Sequence, residues 1–167
     1  MIIKIMSQYN ALRYSSETNK KILMISIVGG KDSSLVFKGD GIVDVFRMFF
    51  EDIERPIGKY KVPSREDFNG LKEFLDKNIS SVDEIVVHCH AGVSRSAACA
   101  SAIARYVGID DSFIWSSNDY MPNRLVFKYA IDELDLNLEE NEIRTLYKAN
   151  EDAYALNCEF ILKEDLF

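Results

Sequence analysis

The sequence predicts an α/β layer fold, strands covered by helices, within a single domain. Short β-branched runs alternate along the chain with segments of helical periodicity, as they do when strands and helices take turns in one layered core. One of those runs, Ile85-Val86-Val87, is continuously apolar, which is expected of a central strand buried on both faces. A chain of 167 residues with 47% hydrophobic content can bury a core of its own.

The elements follow in order. Ile2 to Met6, Ile22 to Val28, Val45 to Phe50 and Glu84 to His88 read as strands. Between the third and fourth, Ser64 can cap a helix with Asp67 three residues on, and Phe68, Leu71, Phe74 and Leu75 form its apolar face. That helix should end near Asn78. A small-residue helix is expected from Ser96 to Val107, stopped by Gly108, then a short one over about Asp110 to Ser117. Pro122 opens a further helix running to about Leu134. From Leu138 to about Phe160, the residues Ile143, Leu146, Tyr147, Ala153, Leu156 and Phe160 recur at near-helical spacing among charges, predicting one or two amphipathic helices. Such stripes usually face a core. Residues 138–167 are therefore read as a helical extension packed on a single domain spanning residues 1–167.

Charge and cysteine usage narrow the setting. A formal net charge of −7 favours neither nucleic acid nor an anionic membrane surface, so any anion site must be built locally. Cys89, Cys99 and Cys158 lack metal-ligand spacing, and their odd number does not suggest a disulfide framework. A reducing cytoplasm fits best. No signal-peptide pattern opens the chain and no apolar run approaches the roughly 18 residues of a membrane span, so a soluble protein is expected. Oligomeric state is not legible.

The stretch with chemistry in it is His88-Cys89-His90-Ala91-Gly92-Val93-Ser94-Arg95-Ser96, where a buried strand ends and a helix begins. Free N–H groups and the positive end of a helix dipole converge at such a point, and a glycine lets the turn curl into a nest of donors. His90, Ala91, Gly92, Val93 and Ser94 would cradle a phosphate there. Arg95 adds a planar fork able to grip two phosphoryl oxygens. The same positive surroundings act on Cys89, because a thiol at a helix N-terminus beside a cation can fall from about 8.5 to roughly 3.5–7.5. A thiolate facing a phosphoryl group is a nucleophile in place. Ser96 can donate a hydrogen bond to the sulfur, while His88 is read as shaping the loop from behind rather than as a base. A buried inert cysteine is the ordinary fate of a lone thiol. Here a chance match to His-Cys-x2-Gly-x2-Arg-Ser/Thr has a frequency on the order of 10⁻⁵ in a chain this long.

This loop resembles the signature of the protein tyrosine phosphatase superfamily, and its Ala-Gly-Val-Ser-Arg-Ser wording is similar to the dual-specificity branch, shared by bacterial and phage tyrosine-phosphatase-like proteins. The resemblance runs from about Ile22 to Ala130, through Ser-Ile-Val, Phe-Phe-Glu-Asp and Met-Pro-Asn-Arg-Leu-Val. It implies the cysteine-phosphatase fold, a four- or five-stranded mixed or parallel sheet flanked by helices, and no metal or organic cofactor. It implies hydrolysis of phosphate monoesters, phosphotyrosine in proteins or a small aryl phosphate, through a cysteinyl-phosphate intermediate.

Such chemistry needs a proton donor for the leaving oxygen. The family places an Asp after the strand preceding the signature, and Phe49-Phe50-Glu51-Asp52 resembles that spot, which nominates Asp52 with Glu51, Glu54 and Asp67 as rivals. Asn123 resembles a family asparagine that braces the active-site loops, although a helix cap would suit it equally. Cys99 lies about 15 Å from Cys89 along an ideal helix, too far for a disulfide, and is read as core. Positions 90 to 94 hold only His90 as a possible cation, which disfavours a phosphoinositide, and the acidic composition offers no basic track for an RNA 5′-phosphate substrate. The non-enzyme alternative is a phosphate-binding adaptor that has lost turnover. Intact Cys89, Arg95 and Ser96 speak against it.

Overall fold

A computed structural model describes residues 1–30 and 35–164, with side chains up to residue 156, so Cys158 and Phe160 lie outside the side chains described. Four strands, β1 (Ile2–Ser7), β2 (Ile22–Val28), β3 (Ile42–Phe49) and β4 (Glu84–Cys89), form one sheet in the order β1-β4-β2-β3. Every pairing is parallel. Among the described residues six α-helices accompany the sheet: α1 (Gln8–Glu17), α2 (Leu71–Asn78), α3 (Arg95–Tyr106), α4 (Ser112–Trp115), α5 (Arg124–Glu133) and α6 (Glu140–Glu164). The fold is thus α/β, a four-stranded parallel sheet flanked by helices.

Alternation along the two central strands divides the interior into two unequal layers, because successive side chains of a strand point to opposite faces. Leu23, Ile25, Ile27, Ile85, Val87 and Cys89 enter the larger core with residues of α2, α3, α5 and α6. Ile22, Met24 and Val86 meet Ala11 of α1 on the other side. Helix α1 has no counterpart among the expected elements. Only Ala11 and Ser15 of it are buried, so it lacks the apolar stripe that announces a helix, and Ser7 starts it by accepting the amide of Asn10 at 3.2 Å.

The stretch after Ser64 departs from expectation. The helix foreseen after Ser64 is a 3-10 turn, Arg65–Phe68, then a break at Gly70 with φ 83° before α2 begins. Asn69-Gly70 supplies that break, since glycine takes positive φ at no steric cost. The C-terminal stripe forms one continuous helix, α6, docked by Tyr147 against Trp115 and Phe127 at ring separations of 5.0 and 6.2 Å. Among the described residues no helix is long and apolar enough to cross a membrane.

Candidate active site

Strand β4 ends at Cys89 and α3 begins at Arg95, so the loop between them opens at the carboxyl end of a central strand. Helix α1 follows β1 onto one face and α3 follows β4 onto the other, and in open parallel sheets ligands bind where neighbouring strands diverge in this way. Gly92 makes the turn possible. Its φ is 81°, and a Cβ there would lie 2.6 Å from the carbonyl carbon of Met6 and from the amide nitrogen of Ser7. The loop is tied on both flanks, by the Gln8 amide donating to the carbonyl of His90 at 3.2 Å and the Met121 amide donating to that of Val93 at 3.1 Å.

Cys89 is 1% exposed. Burial alone would raise its pKa, yet the thiol lies below its ordinary value, because Ser96 and the Gly92 amide hydrogen-bond the sulfur and the Arg95 charge favours the thiolate. The Gly92 amide donates to Sγ at 3.3 Å and the Ser96 hydroxyl lies 3.2 Å away. Cys99, buried on α3 itself, has no such partners among the described residues, and burial pushes it up to about 12.

Arg95 is 6% exposed and donates from Nη1 to the carbonyl of Phe50 at 2.8 Å, which fixes the guanidinium at the carboxyl end of β3. Its Nε is buried without a hydrogen-bond partner among the described residues. A buried charged donor left over in this way is costly unless an acceptor reaches it, and a phosphoryl oxygen is an acceptor of the right charge.

Asp52 comes to the loop. Its Oδ1 accepts the Ser94 hydroxyl at 2.8 Å and the Asn123 side-chain amide at 3.0 Å, and its Oδ2 lies 3.9 Å from Arg95 Nε. Its rivals are engaged elsewhere or touch other groups. Asp67 caps the 3-10 turn, accepting both the amide and the hydroxyl of Ser64 at 2.9 and 2.8 Å and pairing with Lys61. Glu54 accepts the Arg124 amide at 2.7 Å, at the start of α5. A Cβ on Gly29 would run into the Glu51 carboxylate, so that group points back to the end of β2.

Asn123 combines the two duties that its sequence left open. Its carbonyl oxygen accepts the Val126 amide at 3.0 Å, capping α5, while its amino group holds Asp52. His88 is buried behind the loop, its Nε2 2.8 Å from the Ser26 hydroxyl of β2, and burial pushes its pKa down to about 4. The ring is neutral near pH 7. His90 and Ala91 are exposed at the loop's outer edge.

A cleft of about 490 Å³ borders the loop, lined by Ala91, Val93 and Ser94 on one side and by Asp52 and Glu54 on another. Cys89 itself does not line it. The third wall was not foreseen: Tyr147, Asn150 and Glu151 of α6 close the cleft, with Arg124 4.5 Å over the Tyr147 ring and bonded to Glu151 at 3.0 Å. Their only sequence signal was the apolar stripe that includes Tyr147. No cluster of three or more His, Cys, Asp or Glu suited to a metal ion occurs among the described residues.

No family model and no curated protein matches this sequence. Among solved structures, the chain is similar to PTPMT1 in complex with PI(5)P, at 13% identity and a TM-score of 0.41 over 93% of this chain and 94% of that one. It is also similar to Tk-PTP in the active form, at 14% identity and a TM-score of 0.39 over 91% and 92% of the two chains.

Proposed function

We propose that the chain is a cysteine-dependent phosphatase of the protein tyrosine phosphatase superfamily that hydrolyses phosphate monoesters, with phosphotyrosine in proteins or a small aryl phosphate as substrate. The observation that carries this is an acidified Cys89 thiol beside an Arg95 whose buried Nε has no hydrogen-bond partner among the described residues. In this reading the Cys89 thiolate attacks phosphorus, the S–P bond forms as the P–O bond breaks, and Asp52 delivers its proton to the departing oxygen. Water then attacks the cysteinyl-phosphate, giving its proton back to Asp52 while Ser96 stabilises the leaving thiolate. Arg95 and the loop amides hold the phosphoryl oxygens throughout.

Steady-state assays on phosphotyrosine and phosphoserine peptides test the proposal. Turnover should vanish in Cys89→Ser while phosphate or vanadate affinity is largely kept, because Arg95 and the loop backbone remain. Arg95→Lys should lose binding and turnover together, since one ammonium cannot replace a fork shared between Phe50 and the ligand. A wild type that binds phosphopeptide without turning it over would favour the adaptor instead. Phosphatidylinositol 5-phosphate belongs in the same panel, with poor turnover expected because His90 is the only possible cation among positions 90 to 94.

A further inference from the structure

One amide on the C-terminal helix reaches into the architecture of the site. Asn150 is 6% exposed, and its Nδ2 donates to two backbone carbonyls, that of Ser117 at 3.1 Å and that of Tyr120 at 2.9 Å. Both carbonyls belong to the irregular segment 116–123 between α4 and α5, which has no ladder of its own to satisfy its backbone. The segment continues straight into the site. Its Met121 amide donates to Val93 of the loop at 3.1 Å, and its last residue, Asn123, holds Asp52 at 3.0 Å. Helix α6 is in turn held at this level by Tyr147, packed on Trp115 and Phe127, and by the Arg124–Glu151 pair.

We propose that Asn150 is a positioning residue for proton transfer: it pins the 116–123 segment and, through Asn123, aims the Asp52 carboxyl at the leaving oxygen. This rests on the phosphatase reading above, with Asp52 as the acid. The residue type suits the task. An amide NH2 carries two protons and can meet two carbonyls at once, whereas a carboxylate of the same shape would set its charge against both. Asn150 touches neither Cys89 nor Arg95 in the hydrogen-bond network and meets the phosphate loop only through the Met121–Val93 bond, so phosphate binding should weaken far less than turnover.

The test uses the full chain with Asn150→Ala, and with Asn150→Ser, which keeps one donor, deciding the question if Ala does not fold. Turnover is measured on aryl phosphates whose phenols span a range of acidity. Misplacing a catalytic group by a small distance can cost up to about 100-fold, so Asn150→Ala should lose roughly 10-fold or more on phenyl phosphate. The loss should shrink as the phenol becomes more acidic, the alkaline limb of the pH profile should flatten, and vanadate inhibition should weaken far less than turnover. Asn150→Ser should fall in between. Added to Asp52→Asn, the Ala substitution should cost nothing further on phenyl phosphate. Amide hydrogen exchange should quicken across residues 118–123 and stay as in the wild type across 90–96. A uniform loss over the substrate series, losses that add to those of Asp52→Asn, or unchanged exchange at 118–123 would each overturn the inference while leaving the phosphatase reading standing. A wild type inactive on every aryl phosphate would overturn both.

Discussion

Cys89 and Cys99 are both buried thiols of the same strand–loop–helix unit, yet their surroundings drive their acidity in opposite directions. Near neutral pH iodoacetate should therefore label Cys89 at least ~100-fold faster than Cys99, the rate falling as acid protonates the thiolate, and vanadate should protect it. Peptide mass mapping reads the outcome, and equal labelling would remove the anion site. Asp52→Asn should lose about 10²- to 10⁴-fold on phenyl or tyrosyl phosphate and far less on phosphates of acidic phenols, because a proton matters in proportion to how poor the leaving group is. A leaving-group series measured by phosphate release checks it. At this scale the loop was readable, since residue types and spacing alone nominate Cys89, Arg95 and Ser96. The Asp52 contacts were not. They depend on Ser94 and Asn123 arriving from positions 42 and 71 residues further along the chain, a closure that no local pattern encodes.

At the level of elements, β2 and β4 announced themselves by short apolar runs, Ile22 to Ile25 and Ile85 to Val87, as strands covered on both faces do. Edge strand β3 starts three residues before the expected Val45, at Ile42, because its mixed exposure blurs the pattern. Helix α1 stayed hidden for a related reason: it meets the sheet through small residues. His88 joins the two central strands through Ser26, and its acidity gives that joint a pH dependence. In the fold the ring protonates only near pH 4, whereas the unfolded chain takes up a proton near 6.5. The neutral form thus supports the fold fully above pH 6.5. Between 6.5 and about 4 the unfolded state binds the extra proton, and stability should fall by about 1.4 kcal/mol per pH unit from this group. Denaturant melts of the wild type and His88→Gln over that window should converge as pH falls. Parallel curves would show that the ring charges without penalty.

For the molecule as a whole, one aromatic side chain stands at the centre of the attachment of α6, beside the Asn150 bonds and the Arg124–Glu151 pair. Tyr147 is 7% exposed and packs on Trp115 and Phe127, while its hydroxyl is buried without a partner among the described residues. Tyr147→Ala should cost about 3 kcal/mol, and Tyr147→Phe should be neutral or stabilising by up to about 1 kcal/mol, as thermal melts would record. A destabilising Phe substitution would mean that the hydroxyl is satisfied in solution. The sequence told that this stripe forms helix, but not which surface it covers, because a stripe carries no address.

Gly92 lies against the backbone of Met6 and Ser7, and Val93 is bonded to Met121, so the loop closes only between the chain's first strand and a segment deep in its second half. Contacts of such long sequence separation form late and slowly. On the ribosome, a nascent chain that has released Cys89 still lacks the segment that meets Val93. Anion affinity should then arrive with the last kinetic phase of refolding rather than with the formation of β4 or α3, which makes vanadate binding a clock for the completed fold.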